Sequence, residues 1–249
     1  MAILLEYEGR FARITLARPP LNILDLDHLA ELERRVKDVG RSDAAILLLD
    51  AAPGSRAFSA GNAVEDHTRE RAPAMLERFH SAIRALLALD AIVVADVRGP
   101  ALGGGCELCL ACDLVYATEG AVFGQPEIDV GCFPPVAAAL LPRRIGWTRA
   151  VAMIATGRRL AAGAAMDAGL VTDVGDDAAA IGVRQLTARS PDVLRVLKRA
   201  LRAGTMGEAE RLYRADLLGL ADCAEGVRAF LEKRAPHWGG AVETGGPGA

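Results

Sequence analysis

The sequence of 249 residues predicts an α/β fold that is followed by a purely helical C-terminal region. Apolar runs, such as 45–49 and the β-branched run 92–97, alternate with segments whose apolar residues recur at helical spacing. This alternation is typical of a mostly parallel sheet covered by helices. After residue 176 the pattern is helical only. We therefore divide the chain into an α/β core over 1–176, a helical region over 177–238 and a glycine-rich tail over 239–249, which we expect to be disordered.

Each element of the core has its own signal in the sequence. Residues 3–7 and 11–16 alternate around Glu8-Gly9 and predict a hairpin. Further apolar or β-branched runs predict strands at 45–49, 92–97, 114–117, 128–130 and 170–174. Apolar residues three or four positions apart predict helices at 26–39, 72–89, 105–112, 134–145, 148–155 and 161–168.

Bulk composition excludes several classes of protein. The net charge of −3 gives no overall attraction to nucleic acid. No apolar run reaches the roughly 18 residues that a membrane span requires. The odd number of cysteines, five, without a secretory signal sequence, indicates reduced thiols and a cytoplasmic protein.

The most informative stretch runs from 98 to 131. Three glycines, 103–105, follow a predicted strand and remove every side chain from a short piece of backbone, so that a ligand can approach bare N–H groups. The helix that follows directs the positive end of its dipole to the same place. Glu107 lies in its first turn, and Glu127 follows after a proline. Two carboxylates beside an anion-binding backbone suit acid–base chemistry next to a developing negative charge.

This stretch has other interpretations. No Lys-Ser or Lys-Thr follows the glycines, so a phosphate-binding loop is excluded, and the spacing of a dinucleotide-binding loop is absent. Glu107 could merely balance the helix dipole, with Glu127 a surface residue. Cys106, Cys109 and Cys112 have the spacing of metal ligands, but on a helix they form a packing stripe without a fourth ligand nearby, so we predict no metal site.

The residues also resemble a known family. Residues 57–67, 98–113 and 123–131 are similar to the signature stretches of the crotonase superfamily, the enoyl-CoA hydratases/isomerases, and 225–234 resembles its C-terminal helix. The resemblance covers about residues 3–238. It implies a spiral of ββα units with a helical trimerisation region, hence a homotrimer or homohexamer. It also implies coenzyme A thioesters as substrates, with coenzyme A as part of the substrate and no separate cofactor.

The resemblance implies roles for individual residues. The backbone N–H groups of Asn62 and Gly104 would hold the thioester oxygen, and Glu107 and Glu127 match the two glutamates of the family's hydratases. Together they favour a hydro-lyase that adds water to an enoyl-CoA. Substrate contacts are expected at Ala60, Gly61, Val64, His67, Gly103, Gly131 and Phe133. Phe230 and Lys233 match positions that help to cover the adenine nucleotide of a neighbouring subunit.

Two departures from the family pattern bear on the substrate. Asn62-Ala63-Val64 replaces the usual Ala-Asp-hydrophobic triplet, which keeps the N–H group and loses the Asp. Residues 131–138, with Phe133 and two prolines, are bulkier and stiffer than the usual glycine-rich segment. Together with 65–67 they most resemble the cyclohexa-1,5-diene-1-carbonyl-CoA hydratases of anaerobic aromatic degradation, so we expect a cyclic dienoyl thioester. The alternative is that Phe133 is a core residue at the start of a helix.

Several function classes remain open at this point. Within the same fold the rivals are an isomerase, a decarboxylase and a thioester hydrolase. A non-catalytic scaffold that binds coenzyme A or RNA is a further class, against which the two glutamates and the lack of a basic stripe argue. Arg143-Arg144 and Arg158-Arg159 are either contacts for coenzyme A phosphates or solvated helix ends, and His67 is either a pocket residue or a solvated loop residue.

Overall fold

The computed structural model describes residues 2–239 and confirms an α/β fold with a helical C-terminal region. Six strands form the main sheet, in the order β1-β2-β3-β4-β6-β9, and three form a second sheet, in the order β5-β7-β8. The first sheet contains β1 (Ile3–Glu8), β2 (Phe11–Leu16), β3 (Ile46–Ala51), β4 (Ile92–Val97), β6 (Leu114–Ala117) and β9 (Asp173–Val174). The second contains β5 (Pro100–Leu102), β7 (Val122–Gly124) and β8 (Leu160–Ala161). The β1–β2 pair is antiparallel, as the hairpin signal predicts, and the other neighbours in the main sheet are parallel.

Helices cover the sheet and make up the C-terminal region. The core helices are α1 (Leu26–Arg41), α2 (Ala72–Ala88), α3 (Gly104–Ala111), α4 (Pro135–Ile145), α5 (Trp147–Thr156) and α6 (Ala162–Asp167). The C-terminal helices are α7 (Ala178–Thr187), α8 (Pro191–Ala203), α9 (Met206–Leu212) and α10 (Ala221–Glu232). Two short 3-10 helices span Val64–His67 and Pro126–Val130, and a π-helical turn spans Tyr213–Leu217. Within residues 2–239, no helix has both the length and the apolar character needed to cross a membrane.

Both faces of the main sheet are buried, which explains the continuous apolar runs Ile46–Leu49 and Ile92–Ala95 of its central strands. Leu47 and Val93 point into the large core beneath α1 and α2. Ile46 and Val94, on the other face, pack against α7 and α8. Strands buried on both faces lose the alternation of apolar and polar residues that marks half-exposed strands.

Two predicted strands differ from the structure. Residues 128–130 belong to the 3-10 helix Pro126–Val130, because a proline in the first turn favours helical backbone and Gly131, with φ 75°, ends the helix. Residues 170–174 contain only the two-residue strand β9, because the N–H groups of Leu170 and Val171 both bond to the Ala165 carbonyl at the end of α6. The second sheet was not predicted, since strands of two or three residues are too short to show a period.

Candidate active site

The three glycines of 103–105 make room for other parts of the protein. A Cβ atom at Gly103, where φ is 53°, would lie 2.6 Å from Oε1 of Glu127. A Cβ atom at Gly104 would lie 2.9 Å from Oδ1 of Asn62. The sequence indicated bare backbone at this place. The structure shows that the vacant Cβ positions admit the carboxylate of Glu127 and the carboxamide of Asn62 to the start of α3.

Two backbone N–H groups are oriented away from secondary-structure partners at this place. Asn62 and Leu24 form an isolated parallel β-bridge. The two hydrogen bonds of this bridge run from the Leu24 N–H to the Gly61 carbonyl and from the Ala63 N–H to the Leu24 carbonyl, so neither of them uses the Asn62 N–H. The N–H of Asn62 therefore faces the opposite side. Gly104 is the first residue of α3, so its N–H has no acceptor within the helix. A Cβ atom at Gly61 would lie 3.0 Å from the Gly104 nitrogen, which shows how closely the two segments approach.

Glu107 is buried and is held by a backbone hydrogen bond. Its side chain lies on the first turn of α3, is 2% exposed, and accepts a hydrogen bond from the Ala137 N–H at 2.8 Å. Burial raises the pKa of Glu107 to about 7, and the charge of Glu127 acts in the same direction, while hydrogen bonds from the backbone of Ala137 and Val136 oppose the rise. Near pH 7, Glu107 is therefore present in both the protonated and the ionised form.

Glu127 is half-buried at the rim, on the 3-10 helix Pro126–Val130. Burial raises its pKa, and attraction to His67 opposes that rise. Its Oε2 atom has no hydrogen-bond partner among residues 2–239. The ring of His67 is anchored, because its Nδ1 donates to the Ala63 carbonyl at 3.0 Å. His67 lines the same cavity as Glu127, and its contact with a substrate stays a prediction.

These side chains line one cavity of about 330 Å³. Its polar residues are Asn62, His67, Glu107 and Glu127. The remaining lining is largely apolar and consists of Ala72, Met75, Leu76, Phe79, Gly131, Cys132, Phe133, Pro134 and Pro135. An apolar cavity with a few convergent polar groups is typical of a site for a small organic ligand.

The cavity is lined by Phe133 and also by residues of α2, which the sequence did not predict as site residues. Phe133 lines the cavity and is 64% exposed, so its interpretation as a core residue is wrong. Met75, Leu76 and Phe79 of α2 also line the cavity. Their helical spacing is the same as that of core residues, so no local signal distinguishes them.

Other predicted contact residues lie outside this cavity. Ala60 and Gly61 belong to the segment that leads to Asn62, and Val64, on the helix Val64–His67, is 64% exposed. Phe230 is 82% exposed on α10, and Lys233 follows the end of that helix. The roles of Phe230 and Lys233 concern a neighbouring subunit and stay predictions.

The three cysteines of the packing stripe are all buried. The thiol of Cys109 donates to the Gly105 carbonyl at 3.4 Å, and that of Cys112 donates to the Leu108 carbonyl at 3.3 Å. Burial raises the pKa of Cys112 to about 12, which disfavours the thiolate that metals bind. Among the residues that the structure describes, no group of three or more His, Cys, Asp or Glu side chains is arranged to hold a metal ion.

Comparison with known proteins identifies the family. A family model described as enoyl-CoA hydratase/isomerase matches residues 6–241. The chain belongs to the enoyl-CoA hydratase/isomerase family. A relative within it, the cyclohexa-1,5-dienecarbonyl-CoA hydratase of Thauera aromatica, is 32% identical over 96% of each chain.

Two solved structures agree with this fold. The enoyl-CoA hydratase of Bacillus anthracis superposes with a TM-score of 0.88 at 29% identity, over 96% of this chain and all (100%) of that one. DspI of Pseudomonas aeruginosa superposes with a TM-score of 0.86 at 33% identity, over 96% and 97% of the two chains. The family and the fold that the sequence motifs implied are therefore confirmed.

Proposed function

We propose that this protein is a hydratase that adds water reversibly to the α,β double bond of an enoyl-CoA thioester. The observation that carries the proposal is that Glu107 and Glu127 line one cavity, beside the outward-facing N–H groups of Asn62 and Gly104. Membership of the enoyl-CoA hydratase/isomerase family supports a coenzyme A thioester as the substrate.

The two N–H groups have a direct role in this chemistry. When water adds to the β-carbon, the thioester oxygen gains negative charge. The N–H groups of Asn62 and Gly104 would donate hydrogen bonds to that oxygen. Donors held in place before the reaction can each stabilise such a charge by about 3 kcal/mol.

The two glutamates supply the proton transfers. A carboxylate must take a proton from the attacking water, and a carboxylic acid must give one to the α-carbon. Burial raises the pKa of both Glu107 and Glu127, and the charge of Glu127 further opposes ionisation of Glu107, which favours a state with one proton on the pair. That state contains both the base and the acid that hydration requires.

A second cavity offers a place for the phosphate-bearing part of coenzyme A. It measures about 370 Å³ and is lined in part by Arg18 and Arg71, together with the carboxylates of Asp25, Glu65 and Asp66. Arg71 forms an ion pair with Asp66 at 2.6 Å, which holds its guanidinium at the cavity. Guanidinium groups suit phosphate, since they donate several hydrogen bonds in a fixed plane.

For the acyl group we propose a cyclic, conjugated ring. Phe133 offers a flat apolar face, and Pro134 and Pro135 restrict the backbone of that wall. A stiff wall loses little entropy when a rigid ligand binds. The similarity to the cyclohexa-1,5-dienecarbonyl-CoA hydratase of Thauera aromatica supports the same substrate class.

The test compares kcat/KM for cyclohexa-1,5-diene-1-carbonyl-CoA with that for crotonyl-CoA. We expect a ratio above one, and we expect Phe133→Ala to lower it several-fold. Val130→Ala is the matched control, since Val130 is an exposed apolar residue (55%) of the neighbouring segment and does not line the cavity. A wild-type ratio at or below one would leave the hydratase proposal standing and remove the ring.

We also propose a homotrimer or a pair of trimers. Large apolar side chains are exposed on the C-terminal helices and at the start of α5, where a second subunit would cover them. They are Met206 (85%), Phe230 (82%), Trp147 (74%) and Leu231 (73%). Light scattering at micromolar concentration should give three or six chain masses, and a monomer mass would contradict the proposal.

A further inference from the structure

Ser59 is completely buried at the place where the two N–H-bearing segments meet. Its hydroxyl accepts a hydrogen bond from the Gly61 N–H at 3.1 Å and donates one to the Asn22 carbonyl at 2.8 Å. Gly61 directly precedes Asn62 in the chain. The Ser59 hydroxyl therefore fixes the backbone from which the Asn62 N–H projects.

The backbone of Ser59 contacts the other segment. Its carbonyl accepts from the Leu102 N–H at 2.9 Å, two residues before Gly104, and its own N–H donates to the Pro100 carbonyl at 3.3 Å. The third glycine also belongs to this contact, because a Cβ atom at Gly105 would overlap the Ser59 carbonyl and lie 2.8 Å from the Ser59 Cβ. One residue thus contacts both segments at once.

Asn22 fixes Ser59 from the opposite side. Its Nδ2 donates to the carbonyls of Ala57 and Phe58, both at 3.0 Å, and its Oδ1 accepts from the Arg18 N–H at 2.9 Å. Asn22 is 2% exposed and has φ 48°, a backbone conformation that Asn tolerates better than most residues. The segment that carries Ser59 is thereby tied to the loop before α1.

We propose that Ser59 is a positioning residue that sets the separation and direction of the Asn62 and Gly104 N–H groups, with Asn22 holding Ser59 in place. The inference rests on the proposed function, in which those N–H groups bind the thioester oxygen. Stabilisation of a developing charge depends on donors held within a few tenths of an ångström of their place. Loss of the Ser59 hydroxyl releases the Gly61 N–H and lets the Asn62 donor shift.

The test measures the polarisation of a bound thioester carbonyl. A saturated acyl-CoA with a carbon-labelled carbonyl is bound to the protein, and its C=O stretching frequency is recorded by infrared difference spectroscopy. In the wild type the frequency should fall below that of the free thioester. In Ser59→Ala we expect it to return toward the free value and kcat to fall about tenfold or more, while the dissociation constant of the saturated acyl-CoA changes little.

Ser190→Ala is the matched control. Ser190 is also buried (4%), its hydroxyl donates to Asp222 at 2.6 Å, and it accepts from the Val193 N–H at 3.1 Å. Both variants should lower Tm by a few degrees, through loss of a buried hydroxyl with two hydrogen bonds. Ser190→Ala should leave the carbonyl frequency and kcat unchanged.

The outcomes separate the two proposals. A wild type that neither shifts the carbonyl frequency nor hydrates an enoyl-CoA would overturn the proposed function. A wild type that does both, with Ser59→Ala showing the same frequency shift, would overturn the positioning role alone. Should Ser59→Ala fail to fold, Asn22→Asp provides the second measurement, because it removes both Nδ2 donors and keeps the acceptor for Arg18. Its carbonyl frequency should also move toward the free value, and an unchanged frequency would count against the inference.

Discussion

The segments that carry the two glutamates differ in almost every physical respect. Helix α3 is buried over its whole length, and Glu107 is fixed there by core packing and by the Ala137 N–H. The 3-10 helix Pro126–Val130 has no buried residue, and Glu127 has a carboxylate oxygen without a hydrogen-bond partner among residues 2–239. A Glu side chain is therefore held by core packing on α3 and by the local backbone conformation on the 3-10 helix.

This difference indicates how the pair divides its chemistry. Deep burial gives Glu107 a raised pKa and a fixed position. Glu127 depends on the vacant Cβ position at Gly103, which admits its carboxylate to the site. Two carboxyl groups in unequal surroundings are a common basis for an acid–base pair.

Removing either carboxylate should abolish most turnover. Glu107→Gln and Glu127→Gln each remove a proton-transfer group and leave the N–H groups of Asn62 and Gly104 in place. We expect kcat to fall by about 10²–10⁴ in each variant, while a saturated acyl-CoA still binds in calorimetry. A near-wild-type rate in either variant would show that only one carboxylate takes part.

Displacing Glu127 without changing it should also cost much of the rate. In Gly103→Ala the new Cβ would overlap the space of the Glu127 carboxylate, and a shift of about 1 Å can lower a rate by about 100-fold. Gly204→Ala is the control, since Gly204 also has positive φ (70°) but no atom within 4 Å of the Cβ position. Gly204→Ala should lose about 1 kcal/mol of stability, because Gly204 has the left-handed helical conformation. Gly103→Ala should lose more, because its backbone (φ 53°, ψ −126°) lies in a region that favours glycine still more strongly and its Cβ meets Glu127. Equal kcat values in the two variants would contradict the steric role of Gly103.

Ionisation of Glu107 should reduce stability as the pH rises. Its folded pKa of about 7 lies above the ordinary value of 4.5, so the folded state binds more protons between these values and the free energy of unfolding falls with rising pH. Relative to wild type, Glu107→Gln should gain up to about 3 kcal/mol at pH 8 and nothing at pH 4. Urea unfolding at both pH values measures this, with Glu127→Gln expected to gain less. A gain that does not depend on pH would contradict the burial of an ionisable Glu107.

Local patterns in the sequence predicted much of the fold and the inner half of the site. Glu107 follows a buried strand and three glycines, and this short motif of neighbouring residues is enough to predict its position in the site. The helix at 126–130 was predicted as a strand in part, because apolar residues at Ile128 and Val130 alternate there while the proline and Gly131 decide the backbone.

Other features depend on contacts between distant parts of the chain. The Ser59 hydroxyl bonds to Asn22, 37 residues away, so no local period reveals it. The apolar residues of α2 line both the core and the cavity. Their helical spacing is the same in the two cases, so the sequence does not show which of them line the cavity.

The most direct test of the account is the fate of oxygen-labelled water. The wild type is incubated with a panel of enoyl-CoA thioesters in labelled water, and the products are weighed by mass spectrometry. We expect the acyl group to gain one water that carries the label, with the gain lost in Glu107→Gln and in Glu127→Gln. A product of unchanged mass would indicate an isomerase, and release of free coenzyme A thiol would indicate a hydrolase. Either result, without labelled hydration, would contradict the two-glutamate hydratase.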